Sequence, residues 1–220
     1  MCESIALLEQ FVAVFGVDQV AFLCADREFV SGPWLRWLQR VGLSFRLRLK
    51  GDVLVTNGRG EKVCANWLFR DCSVQKERSL GQRMVLNCRL YVSGTRLEDG
   101  DFLIVISDQE FVLDQYALRW GIERMFAAFK TYGFGLEETH VTCPRRLSRL
   151  MGLLAIAYCW AFAAGKWLAE SKPIKVKKHG SAPVSLLRRG INYLKPVAVH
   201  LCANITKEHG IQAIRFLSCT

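Results

Sequence analysis

No C-x-x-C pair, no paired histidines and no internal repeat occur in these 220 residues. Nine cysteines are present, at 2, 24, 64, 72, 88, 143, 159, 202 and 219, but the number is odd and the spacing irregular. Neither a disulfide framework nor a zinc site is indicated. The nearest approach to a ligand pair, His140 with Cys143, lies in a loop-like stretch before Pro144 with no second pair to complete four-coordination. Free thiols in this number suit a reducing cytoplasm. A basic, signal-like opening is also missing: MCESIALLEQFVAVFG carries acidic residues and reads as an amphipathic helix. So is an apolar run of bilayer length. MGLLAIAYCWAFAAG, residues 151–165, lies between Arg149 and Lys166. It falls short of the roughly 20 residues a span needs and predicts a buried core helix rather than a membrane partner.

What is present excludes a disordered chain: 51% of the residues are hydrophobic and 11% aromatic. The length suits one well-buried domain with an appendage, or two small domains. A net charge of +10, with an isoelectric point near 9.3, points to a polyanionic partner such as nucleic acid or an acidic membrane surface. Acidic residues nearly vanish from the stretch Lys166–Lys195, which holds eight basic residues against Glu170 alone.

Along the chain, QVAFLCAD at 19–26 reads as a buried strand of a parallel sheet with Asp26 at its end. SGPWLRWLQRVG predicts a short helix capped by Ser31, with Pro33 in its first turn and Gly42 as its stop. SFRLRLK alternates Phe45, Leu47 and Leu49 with Arg46, Arg48 and Lys50, the period of an edge or half-exposed strand. From Gly51 to about Glu110, glycines separate short apolar runs (DVLV, RMVLNCRLYV, FLIVIS), which predicts antiparallel strands and hairpins.

Helix returns with YALRWGIERMFAAFK at 116–130. At about 100° per residue, Tyr116, Arg119, Glu123 and Lys130 fall at roughly 0°, 300°, 340° and 320° on a single helix, one narrow polar seam. Trp120, Ile122, Met125, Phe126, Ala127 and Phe129 fill much of the rest, which predicts a helix buried over most of its surface. The bland alternative is an ordinary Arg119–Glu123 pair at i, i+4, contributing about 0.2–0.5 kcal/mol, with Tyr116 and Lys130 as amphipathic rim residues.

The spacing Tyr-x2-Arg-x3-Glu-x6-Lys, met by Tyr116, Arg119, Glu123 and Lys130, resembles the signature of bacterial insertion-sequence transposases of the IS4 family. ADREF at 25–29 is similar to that family's second-aspartate motif, RWGIERMF to its glutamate motif, and GFGLEETHVT and SLLRRGINYL to segments downstream. The likeness runs from about residue 5 to 195, with its motifs in order. It implies an α/β fold with a ribonuclease-H-like transposase core and a β-rich insertion. It also implies a DDE-type enzyme that cleaves phosphodiesters and transfers strands at transposon ends. Asp26 and Glu123 would be catalytic carboxylates holding Mg2+ or Mn2+, and Tyr116, Arg119 and Lys130 would contact DNA phosphates. A turn aspartate after a strand is the alternative reading of Asp26.

The resemblance implies a further aspartate on a core strand well upstream of the second, whereas Met1 precedes Asp26 by only 25 residues. Asp18, at a helix end, does not fit that place, and Asp108, after FLIVIS, lies on the insertion side. The expectation is therefore an N-terminally incomplete core that binds metal weakly and does not transpose alone. The expected division is 1–50 partial core, 51–110 insertion, 111–168 remainder of the core with the glutamate helix, and 169–220 a basic C-terminal region. The implied partners are transposon-end and target DNA, with a second copy or an intact transposase, in the bacterial cytoplasm at the nucleoid. A non-catalytic DNA-binding remnant or inhibitor is the alternative.

Overall fold

Alternation of period two dominates the chain up to Ser107, and there it folds into one seven-stranded sheet. The computed structural model describes residues 2–130, 134–173 and 184–202. The chain divides into two compact units, Met1–Trp120 and Gly121–Thr220.

In the first unit, helix α1 (Cys2–Phe15) lays Ile5 and Leu8 on the core, and Glu9 accepts a hydrogen bond from the Trp37 indole. Strand β1 (Leu23–Ala25) follows, then α2 (Gly32–Val41), β2 (Phe45–Arg48), β3 (Leu54–Thr56), β4 (Lys62–Cys64), β5 (Arg78–Val85), β6 (Cys88–Arg96) and β7 (Phe102–Ser107). The sheet order is β1-β2-β7-β6-β5-β3-β4. Only β1 and β2 are parallel, with Leu23 opposite Phe45 and Ala25 opposite Leu47; the other pairs are antiparallel. The unit closes with α3 (Leu113–Ala117).

Helix α2 forms as its sequence predicts. The Ser31 hydroxyl accepts from the Trp34 N–H, and Gly42 ends the helix in the left-handed region at φ 73°. Its apolar face, Trp34, Leu35, Trp37 and Leu38, is buried, while Arg36 and Arg40 face water. With Phe45, Leu47, Val55, Phe69, Val85, Leu90, Val92, Ile104 and Ile106 these residues form the main core. Gly94 on β6 is required there, because a Cβ would stand 2.8 Å from the Phe69 ring.

Two expectations for this unit are corrected. Strand β2 is neither edge nor half-exposed: it pairs on both sides, and Arg46 is 2% exposed. Its charges imitate a solvated face because the sequence alone does not show the acceptors that satisfy Arg46. Strand β1, read as buried, is half-buried and forms one edge of the sheet. The runs between residues 51 and 110 are strands β3 to β7 as expected, and they continue the sheet that begins with β1 and β2.

The stretch 116–130 is not one helix. The chain leaves α3 at Ala117 and enters α4 (Trp120–Lys130) after a turn in which Leu118 N–H bonds to Gln115 O and Arg119 N–H to Tyr116 O. These i→i−3 bonds tighten the winding, so the single-helix angles do not carry across the turn. Nor is α4 largely buried: Ala128 and Phe129 are, whereas Trp120, Ile122 and Phe126 are exposed.

Beyond Gly121, α4 is followed by a 3-10 helix (Leu136–Thr139), then α5 (Pro144–Ser171) and α6 (Leu186–Cys202). Phe129 meets Phe134 and Tyr158 edge-on, at centroid distances of 6.0 and 5.9 Å. Helices α5 and α6 approach closely because glycines face them. A Cβ on Gly165 would collide with the Leu186 carbonyl, and one on Gly190 with the Ala161 carbonyl. The expected buried core helix at 151–165 is a correction. Helix α5 buries Leu154, Ala161, Ala164 and Gly165, but Leu153, Ile156, Trp160, Phe162 and Trp167 are exposed. A contact made by small residues covers only a narrow stripe of an apolar circumference. By length and composition this 28-residue helix is apolar enough to cross a membrane. Lys175, Lys177 and Lys178 of the basic stretch, Gly133 of the downstream motif, and most of 169–220 lie outside the described residues.

Candidate active site

Asp26 stands where β1 ends. Its backbone is extended, and one carboxylate oxygen accepts from the Arg27 N–H at 2.8 Å, capping the 3-10 helix Arg27–Phe29. The other oxygen faces the Arg119 guanidinium at 4.0 Å, with the side chains 38% and 17% exposed. A carboxylate fixed by a backbone bond and partly open to solvent offers hard oxygen donors on a rigid element, which suits a divalent cation. Among the described residues, no group of three or more His, Cys, Asp or Glu is gathered for a metal.

Tyr116 reaches the same place from α3, which packs on β2. Together with Val105 and Val112 it forms a small buried cluster flanked by Cys24, Leu103 and Leu113. Its hydroxyl is enclosed, with no partner of good hydrogen-bond geometry among the described residues. Burial raises its pKa and the Asp26 charge adds to this, while the cations of Arg119 and Arg48 pull it back. Arg119 also lies over the rings of Tyr116 and Trp120, 5.9 Å from each centroid. The Cys24 thiol, two residues before Asp26, is pushed up by burial, partly offset by Arg46 and Arg119.

The structure thus brings three of the five sequence-predicted residues, Asp26, Tyr116 and Arg119, into one cluster in the first unit. Glu123 and Lys130 belong to the second unit. Glu123 is exposed in the first turn of α4, where a carboxylate is favoured by the helix dipole. Lys130, seven residues on and within about 20° of the same face, pairs with Glu137 at 3.5 Å, both side chains being well exposed.

Asp108 is committed elsewhere. It accepts from the Ser44 hydroxyl at 2.6 Å, the Phe45 N–H at 3.1 Å and the Arg46 guanidinium at 2.5 Å. The register sets it beside Phe45, where β1 and β2 begin, whereas Asp26 leaves where they end. About three residues of strand, some 10 Å, separate the two positions. Asp18 lies in the 3-10 helix Val17–Gln19.

Sequence reasoning missed the residues around Arg46. Its Nε donates to Gln115 Oε1 at 2.8 Å and its other nitrogens to Asp108, the Phe45 carbonyl and Gln109. The only signal was an arginine between two apolar strand residues, which does not separate a solvated face from a satisfied buried one. Two polar clefts flank the sheet. One of about 450 Å³ is lined by Arg27, Arg48, Lys50, Asn66 and Asp101, among others. A second, of about 330 Å³, is lined by Trp67, Arg70, Arg78 and Arg83, with the Arg70 guanidinium 4.1 Å above the Trp67 ring.

No curated protein matches the chain. A family model described as Transposase DDE domain matches residues 5–160, from α1 into α5, and so takes in β1 with Asp26, the whole sheet and the motif from Tyr116 to Lys130. The mixed α/β architecture with its seven-stranded sheet fits such a domain. Because the match covers well over half of the chain, the protein belongs to the Transposase DDE domain family, which makes it a DDE-type transposase whose partner is DNA.

Proposed function

We propose that the chain serves an insertion-sequence transposase of the IS4 family, with a ribonuclease-H-like core and a β-rich insertion at 51–110, that cleaves and joins phosphodiesters at transposon ends. The observation that carries this reading is the approach of Arg119, within the Tyr-x2-Arg-x3-Glu-x6-Lys motif, to the Asp26 carboxylate at the end of β1. Residues 111–168 complete the core in this scheme, and 169–220 form a basic region that follows the DNA backbone.

Asp26 and Glu123 are the two carboxylates that would hold Mg2+ or Mn2+, whose oxygen preference they meet. Once bound, such ions activate a water or 3′-hydroxyl and stabilise the leaving oxygen. The residues of the chain do the rest. Arg119 takes a transposon-end phosphate through two parallel N–H bonds, which its planar fork allows and an ammonium does not. Lys130 adds a point charge one face along α4. The enclosed Tyr116 hydroxyl becomes a phosphate donor when Arg119 turns from Asp26 towards DNA.

The first carboxylate of the set has no candidate among the described residues, since Asp18 and Asp108 stand elsewhere. The outer edge of β1 is where a strand bearing it would pair. Residues 1–220 alone are therefore expected to bind metal weakly and not to transpose, and to act at the nucleoid of the bacterial cytoplasm as a homodimer or with an intact transposase.

Mn2+ binding by the purified protein, followed by calorimetry, tests the carboxylates. Weak binding should disappear in Asp26→Asn, weaken in Glu123→Gln and persist in Asp108→Asn. Unchanged binding by Asp26→Asn would remove that residue from the site. Metal-dependent nicking of DNA flanking the coding frame, lost in Glu123→Ala, would overturn the expected inactivity.

A further inference from the structure

Arg46 is the largest fully buried side chain of the molecule, and nothing in the proposed chemistry uses it. It lies mid-sheet on β2, opposite Cys24 of β1 and Ser107 of β7. One guanidinium fastens three separate pieces of chain. Nε donates to Gln115 Oε1 at 2.8 Å, on α3 one residue before Tyr116. One terminal nitrogen donates to Asp108 and to the Phe45 carbonyl at 2.7 Å, and the other to Gln109 Oε1 at 2.9 Å. The Phe22 ring covers it at 5.2 Å. The tethered residues, 108, 109 and 115, bracket the connection from β7 into α3. The Cys24 thiol bonds to the Gln115 carbonyl, which brings the same helix against the strand that carries Asp26.

From this geometry we infer that Arg46 is a positioning residue: by holding Gln115 and Gln109 at once it fixes the rotation of α3 and therefore where Tyr116 and Arg119 stand relative to Asp26. A guanidinium is required, because its fork reaches acceptors on three sides in one plane, whereas an ammonium in the same pocket satisfies Asp108 and the Phe45 carbonyl but leaves the link to α3 unmade. The inference rests on the proposed contact of Arg119 with DNA phosphate.

The test is retention of a short mixed-sequence DNA duplex by the whole chain over a series of salt concentrations, with melting temperature measured alongside. Each phosphate contact contributes about 0.9 to the slope of log affinity against log salt. Arg119→Ala should flatten the slope by about that amount, and Arg46→Lys by nearly as much. Adding Arg46→Lys to Arg119→Ala should change the slope no further, since both act on one contact. A purely structural role would lower the melting temperature while leaving the slope alone or flattening it additively, and either result overturns the inference. Gln115→Met, which keeps the Arg46–Asp108 pair and removes only the link to α3, should reproduce the Arg46→Lys slope and decides the matter if the lysine variant does not fold. If Arg119→Ala leaves the slope unchanged, the assignment of Arg119 to DNA fails and the inference falls with it. If Arg119→Ala flattens it but neither Arg46→Lys nor Gln115→Met does, the inference alone fails.

Discussion

Asp108 shows how a single carboxylate can be mistaken for a metal ligand and what it does instead. Burial alone would raise its pKa, but hydrogen bonds from Ser44 and the Phe45 N–H, together with the Arg46 charge, hold it below the ordinary carboxylate range. A depressed folded-state pKa means stability that is present above the unfolded pKa, near 4 for aspartate, and lost as pH falls through the folded value. Melting temperature followed from neutral pH down to about pH 3 should therefore drop in the parent and drop less steeply in Asp108→Asn. An identical acid slope in both proteins would show that Asp108 adds nothing to acid stability. Deleting the partner is harsher: Arg46→Leu should cost about 2–4 kcal/mol, at the lower side for a buried pair because Asp108 keeps 36% of its side-chain surface in solvent. None of this was legible in the sequence. Arg46 and Asp108 are 62 residues apart, and the pairing exists only once β2 and β7 are in register.

At the scale of elements, what the sequence shows depends on whether the signal is local. Ser31, Pro33 and Gly42 act within one turn of where they stand, and α2 begins and ends with them. The place of Asp26 at a strand end was legible for the same reason. Two errors have the opposite origin. The angles computed for 116–130 assume unbroken 3.6-residue winding, and the turn at Leu118 and Arg119 breaks it. The apolar length of α5 says that the helix can be buried, but how much of it is buried depends on the width of its contact with α6. Strain is also local and testable. The β5–β6 hairpin turns on Leu86 and Asn87, both with positive φ (49° and 65°), the signature of a type I′ turn in which leucine is a poor first residue. Leu86→Asn should stabilise the protein by about 0.5–1 kcal/mol in urea unfolding. A loss of stability would mean that the half-exposed leucine contributes more by packing than it costs in strain.

At the scale of the molecule, the two units differ in how much core each holds. The first buries an extended set that includes Leu35, Leu38, Phe45, Phe69, Val92 and Ile106. Among the described residues of the second, burial is confined to a few positions such as Phe129, Leu154, Ala161 and Ile191, several of them small. Apolar burial dominates folding free energy, so the second unit should melt first, and a chain with two separate cores departs from two-state unfolding. Scanning calorimetry should show two transitions. Leu35→Ala, which opens a cavity costing about 2–5 kcal/mol, should lower only the upper one. DNA adds a second lever, because a ligand that binds only the folded form stabilises the unit it touches. With Lys130 in the second unit and Arg119 in the first, duplex DNA should raise both transitions, and Lys130→Ala should shrink the rise of the lower one alone. A single transition that Leu35→Ala and DNA move as a whole would mean that the two cores unfold together, and the catalytic motif would then be held by one cooperative fold rather than shared between two.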